Sequence, residues 1–267
     1  MLHKAGCIGL YLSHNRCLMK DQYSLQKILL IWAASALPMG ILAFVITPKL
    51  AVLTNWDPLM IYWIAINVGL IWQFVLSLLI LKNEGHTLCL QLIKTRLNYK
   101  KPVHPITGKS GYWLLWWTVP FILISIFLQT GLFTLPDVDS TLRPLYKDLI
   151  TYDLSTLNTP NYKGAWWLLG LYLLTCMFNY LLGEEMIYRG ILLPKMQGVF
   201  GKWDWFFNGI LFGLYHLHKP QVIVSTALYF GFVFAFPSKL FQSNWMAVII
   251  HGLEGILGIV LVLGIIL

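Results

Sequence analysis

Residues 28–46 and 59–81 contain no charged side chain. An apolar run of about 20 residues makes a helix that matches the hydrocarbon core of a bilayer, roughly 30 Å thick. The composition points the same way. Of 267 residues, 58% are hydrophobic and 11% are charged, whereas soluble domains are about 25% charged. A chain with so little polar surface has no way to stay in solution. The sequence predicts an all-α, polytopic transmembrane helical bundle of about seven to eight spans.

The spans fall at 28–46, 59–81, 112–135, 165–183, 203–218, 221–236 and 244–267. The segments at 203–218 and 221–236 are short for a full crossing and are expected to be tilted or shielded by other helices. An eighth or re-entrant segment in 190–202 would reverse the side of the C-terminus. Three regions follow: an N-terminal segment (1–27), the first spans with their loops (28–164), and a C-terminal core (165–267). Within the spans, Pro38 predicts a kink that neighbours must re-satisfy. Asn67 and Gln73 read as interhelical hydrogen bonders.

The net charge is +8, and the basic residues sit between the spans. That pattern suits anionic lipid headgroups rather than nucleic acid. Residues 82–111 are the most basic stretch, with Leu88, Leu92 and Ile93 spaced for a short helix on the membrane surface. Tyr112, Trp113, Trp116 and Trp117 read as an aromatic belt. The distribution of Lys and Arg predicts a cytoplasmic N-terminus. Residues 1–24 lack the apolar core and cleavage site of a signal peptide. Cys7, Cys17, Cys89 and Cys176 form no CxxC pair and predict neither a disulfide framework nor a zinc knuckle. Asp137, Asp139, Asp148 and Asp153 lack EF-hand spacing and read as a solvated loop.

Against this apolar background stands Gly183-Glu184-Glu185-Met186-Ile187-Tyr188-Arg189-Gly190. A charge at the centre of a span costs about 2.5 to 3.5 kcal/mol, so pairing or function must offset it. On a helix Glu185 and Arg189 face each other four residues apart, with the acid N-terminal. Glu184 has no equivalent partner on its own helix, which suits a general base. The plainer reading places both acids in the headgroup region at a helix end.

Two further segments carry ionisable groups. Asn208, Phe212 and His216 recur every four residues and line one helical face. His251 lies about two turns inside the last span, with Glu254 three residues on and close enough to pair. One Glu and two His make a zinc ligand set, here Glu184, His216 and His251. No HExxH is present to pair two His locally. The same groups suit a metal-free site in which Glu and His take a proton from water and the second His donates to an oxyanion.

Glu184-Glu185-x-x-x-Arg189, then Phe212-x-x-x-His216, then His251 in a late span resemble the CPBP intramembrane metalloprotease group over roughly residues 165–257. That group holds the CAAX prenyl endopeptidases and the bacterial Abi, or bacteriocin-immunity and processing, proteins. The resemblance implies a helical membrane bundle around a water-filled conical cavity, with 165–267 as its catalytic core. It implies that Glu184 and His216 activate the hydrolytic water, that Arg189 holds the Glu pair and that His251 serves the oxyanion site. It implies no obligatory catalytic zinc. One departure stands out: the group's last motif is His-x-x-x-Asn, and here Gly255 takes the place of the Asn. Glu254 and Asn208 are then the auxiliary oxyanion candidates.

The expected function is an intramembrane endopeptidase acting on a membrane-associated or prenylated protein, or on a bacteriocin-type peptide. The partners expected are that substrate and the lipid bilayer, with no nucleic acid. The compact chain suggests an Abi-type protein of a bacterial plasma membrane. Gly255 motivates an alternative, a catalytically impaired member acting in immunity or regulation by binding. A transporter relay is disfavoured because the charges cluster in one half with no matching half.

Overall fold

The computed structural model describes residues 22–85, 90–129, 154–219 and 226–267. Among these residues all regular structure is helical, apart from one isolated bridge between Val103 and Ser110. The chain runs through α1 (Leu25–Thr54), α2 (Pro58–Asn83), a short α3 (Leu90–Arg96), α4 (Thr118–Gln129) and α5 (Trp167–Lys195). Then come α6 (Asp204–Tyr215), α7 (a π-helical Thr226–Ala235 running into Phe236–Leu240) and α8 (Trp245–Ile266).

Four helices among the described residues, α1, α2, α5 and α8, are long and apolar enough to cross a membrane. The all-helical expectation therefore stands, while the seven to eight spans are only approximate. At 12 residues, α6 is about 18 Å long and stops short of a crossing. The segment expected to span 112–135 begins as a 3₁₀ turn, Tyr112–Trp117, before α4. Its end beyond 129 lies outside the described residues, as do Cys7, Cys17, Leu88, Cys89 and the four loop aspartates.

Local chemistry sets the helix starts. The Ser24 hydroxyl accepts from Lys27 N at the head of α1, and the Asp57 carboxylate accepts from Leu59 N at the head of α2, with Pro58 first in the helix. Both are N-cap arrangements that satisfy otherwise orphaned donors. In α1, Pro38 lies inside the helix, and a π turn at Leu42–Ile46 precedes Pro48. There the Thr47 hydroxyl donates to the Leu42 carbonyl at 2.8 Å.

Two sets of polar contacts mark the two ends of the bundle. At one end Tyr23 N donates to Lys195 O, Asn244 N to Asn98 O and Val103 N to Phe241 O. At the other, Gly164 N donates to Ile266 O, and the Tyr162 hydroxyl donates to Asp57. Between them α6 and α7 cross with Gly209 and Gly231 backbone to backbone. Two missing side chains thus allow the close approach of helices typical of membrane packing.

The first end is tied by a polar knot. Arg96 pairs with Glu84 through Nε and Nη2, both at 2.8 Å, and donates from Nη1 to Gly190 O at 3.1 Å. The Tyr23 hydroxyl donates to the same Glu84 carboxylate. Burial alone would raise the Glu84 carboxyl, yet the hydrogen bonds from Arg96 and Tyr23 hold it down at about 2. A depressed carboxylate contributes stability above its unfolded value and loses it as pH falls through the folded one. Thermal unfolding of the wild type should therefore weaken progressively below about pH 4.5 towards pH 2. Glu84→Gln should start less stable and lose less over that window. Melting curves across this range check the prediction.

Candidate active site

The sequence places a span end at 183, with the charges just beyond it. In the structure α5 continues through Gly183 to Lys195, so the two acids and the arginine lie inside the helix. The helix is not α there. It is π-wound at Phe178–Leu182 and again at Met186–Leu192, with a break at Gly183 between them. Such widened turns recur at functional sites. They also leave carbonyls to be satisfied from outside the helix.

Four elements supply those donors. The Tyr99 hydroxyl donates to Leu181 O at 2.6 Å, and Asn244 Nδ2 donates to Glu185 O at 3.1 Å. Asn208 Nδ2 donates to Tyr188 O at 2.8 Å, and Arg96 reaches Gly190 O. Asn208 was an oxyanion candidate, but its amide nitrogen is committed to the Tyr188 carbonyl and Met196 Sδ. It braces the π turn. Tyr99, Asn244 and Arg96 carried no signal in the sequence, because a donor to a distorted carbonyl is defined only by the tertiary fold.

The charged residues themselves are fully enclosed. Glu184 is 3% exposed, Glu185 0%, Arg189 1% and His251 5%. Glu185 and Arg189 pair as the spacing predicts, at 3.3 Å. The Arg189 guanidinium also lies 4.0 Å from the Phe212 ring centre and 5.2 Å from that of Phe234. The sequence suggested Glu254 as a partner for His251. His251 Nδ1 donates to Glu185 Oε1 at 2.9 Å. The Glu254 side chain lies outside the described ones. Glu185 thus holds Arg189 on its own helix and His251 on α8.

That hydrogen bond fixes the imidazole, in the way a carboxylate orients a catalytic or ligating histidine. With Nδ1 donating to Glu185, His251 turns Nε2 towards Glu184 Oε2, 4.0 Å away. This is too far for a direct hydrogen bond and close to the span of one water. Phe234 stacks on His251 at 4.6 Å, and Tyr180 meets it edge-on at 4.7 Å, so the ring cannot swing away.

His216 begins a 3₁₀ turn at the end of α6. Its Nδ1 donates to Phe212 O at 2.8 Å, and its ring packs on Phe212, as does that of His251. Among the described residues no hydrogen bond or ion pair joins His216 to Glu184. His218 is buried as well, stacked 5.6 Å from His216. Nor do Glu184, His216 and His251 gather as a three-ligand group for a metal among the described residues. Nδ1 of both histidines is hydrogen-bonded, to Glu185 and to Phe212 O, which leaves Nε2 of each as the nitrogen a metal would take.

Sequence reading also treated Gln73 as glue between helices. Gln73 is fully buried, and neither its Oε1 nor its Nε2 finds a partner. The Tyr215 hydroxyl and Glu184 Oε2 are likewise unsatisfied. The three are near neighbours, and none closes a hydrogen bond with another in strict geometry. Gly183 permits this meeting of helices, since a Cβ there would lie 3.0 Å from Leu70 O and 3.4 Å from Gln73 Oε1. At Gly255 the missing side chain's space is filled: a Cβ would come within 2.7 Å of the Tyr180 ring.

Residues 165–257 match the family model for type II CAAX prenyl endopeptidases, Rce1-like. This segment is similar to the Rce1-like family. It contains Glu184, Glu185, Arg189, His216 and His251, and the matched family is one of CAAX-type endopeptidases. No curated protein and no solved structure matched the chain. Gln73, on α2, lies outside the matched segment, so a helix from the other half of the chain contributes a side chain beside Glu184.

The buried pair yields a stability prediction. Glu185→Ala removes the partner of two buried groups and should cost about 3–5 kcal/mol. The double substitution Glu185→Leu/Arg189→Met removes both charges and should recover most of that loss. Unfolding midpoints of the two variants in detergent measure the difference.

Proposed function

We propose that the protein is an intramembrane endopeptidase in which Glu184 and His251 hold the attacking water. The observation that carries this reading is the 4.0 Å separation of Glu184 Oε2 and His251 Nε2, close to the span of one bridging water. One water fills that gap by directing a proton at each, which leaves its oxygen lone pairs free for a carbonyl carbon. On attack, the new C–O bond forms and Glu184 takes a proton. When the C–N bond breaks, the amine leaves with that proton.

The oxyanion needs donors, and the group's usual Asn is Gly255 here. Two uncommitted donors stand beside Glu184, the Tyr215 hydroxyl and the Gln73 amide. We assign the oxyanion site to them, with Tyr180 filling the volume vacated at position 255. Arg189 acts through Glu185, holding the carboxylate that sets the His251 tautomer. The reading rests on Glu184 and His251 more than on His216. A membrane-associated peptide or protein is the substrate class that suits a site buried among spans. The alternative of a binding-only protein takes its support from Gly255 alone.

Lys27, Lys82, Lys94, Lys100, Lys101, Lys195, Lys202 and Lys239 belong to segments at the bundle end tied by the Arg96 knot, whereas Lys49 and Lys163 belong to the opposite side. By the positive-inside rule the first end faces the cytoplasm.

Glu184→Gln should abolish cleavage of a membrane-embedded reporter peptide by the purified chain. Persisting turnover would remove Glu184 from the role of base. Gln73→Leu should lower kcat by about 10²–10³ with KM little changed, since an oxyanion donor acts in the transition state. A rise in KM at constant kcat would instead make Gln73 a substrate-binding group.

A further inference from the structure

At the end of the bundle opposite the Arg96 knot, a cavity of about 670 Å³ opens between the head of α2 and the turn that leads into α5. Trp56, Tyr162 and Trp167 line it, together with Asn55, Asn161 and Asp57. Asp57 is the one charged residue on its wall. It is exposed, and its carboxylate meets neutral donors, Leu59 N at 2.9 Å and the Tyr162 hydroxyl at 3.3 Å. Among the described residues no Lys or Arg pairs with it. The head of a helix carries about half a positive charge, so the full charge of Asp57 leaves the cavity net negative. Trp56 and Trp167 are 62% and 55% exposed. Aromatic faces beside a carboxylate attract an ammonium group.

The second observation is an apolar groove that continues from this cavity. It encloses about 320 Å³ between α1 and α2 and shares Trp56 and Ile64 with the cavity. Leu42, Ile46 and Leu50 wall it on α1, and Ile64 and Val68 wall it on α2. Thr54, its one hydroxyl, donates to Leu50 O at 2.7 Å and is spent. From Leu42 to Thr54 the helix rises about 18 Å, which covers the roughly 15 Å depth of one leaflet's hydrocarbon. Tryptophan is common at bilayer interfaces. Here the rings share a cavity with an acid that no described base answers, and an apolar track leads from that cavity along the membrane-crossing helices.

We propose that the cavity and the groove together bind one phospholipid with an ammonium headgroup, its head beside Asp57 and one acyl chain between α1 and α2. The polar cavity alone would suit any small amine; the apolar track that continues from it selects a bilayer lipid. A lipid of net negative charge brings no cation to Asp57 and is repelled by it. None of Glu184, Glu185, Arg189, His216 and His251 lines either space, so this site stands apart from the proposed hydrolysis. A bound lipid would staple the α1–α2 connection to the turn before α5.

The test titrates the full chain in detergent micelles with phosphatidylethanolamine, phosphatidylcholine or phosphatidylglycerol of the same acyl chains, read by native mass spectrometry. One phosphatidylethanolamine or phosphatidylcholine per chain should bind about tenfold more tightly than phosphatidylglycerol. A preference for ethanolamine alone assigns hydrogen bonding to Asp57, and a shared preference assigns the ring faces. Equal binding of all three lipids overturns the proposal, as does no saturable binding of any. Asp57→Asn keeps an oxygen to cap α2 and removes the charge. It should bind the ammonium lipids about tenfold more weakly and phosphatidylglycerol no more weakly than the wild type. An unchanged preference for ammonium lipids in that variant overturns the site. Should Asp57→Asn fail to fold, Trp56→Leu decides: loss of the preference supports the site, and an unchanged preference overturns it.

Discussion

The Glu185 carboxylate is the interaction on which the rest of the site depends. It is wholly buried and makes two charge-assisted contacts, to Arg189 one turn on and to His251 on α8. Taken singly, each partner would be a liability in a low-dielectric interior. Together they set a sequence of constraints. Arg189 keeps Glu185 in place, Glu185 sets the His251 tautomer, and His251 turns Nε2 towards Glu184. Adjacent acids therefore divide the work, one holding the framework and the other left with an open oxygen.

The backbone carries this arrangement at a cost that the fold meets from several sides. Two consecutive acids on a regular α-helix point about 100° apart. The break at Gly183 and the π turns around it let both face the same interior. The widened turns strand carbonyls, and Tyr99, Asn208, Asn244 and Arg96 each answer one. Three of these donors come from outside the helices that bear the catalytic candidates. This explains why a polar loop region, 96–111, is bound into an otherwise apolar core.

Much of this was legible in the sequence, for physical reasons that can be traced. Long apolar runs define α1, α2 and α8 because nothing else satisfies their length and hydropathy. The Glu185–Arg189 pair was legible because it is local, four residues on one helix. The end of α5 was not: charges at 184–189 look like a span terminus when the partners that neutralise them lie elsewhere. His251 sits 66 residues from Glu185, beyond what spacing alone reveals. Gln73 looked like glue because an amide in a span usually is; only its lack of partners beside Glu184 sets it apart. Gly255 read as a loss, whereas the Tyr180 ring occupies that space.

The most direct test of the account lies in the gap between Glu184 and His251. A cryo-electron-microscopy map of the full chain, at a resolution that resolves water, would show its content. The account predicts one ordered water within hydrogen-bond distance of both Glu184 Oε2 and His251 Nε2, with Gln73 and Tyr215 beside it. A direct Glu184–His251 contact that leaves no room for water, or side chains that turn away from each other, would contradict it.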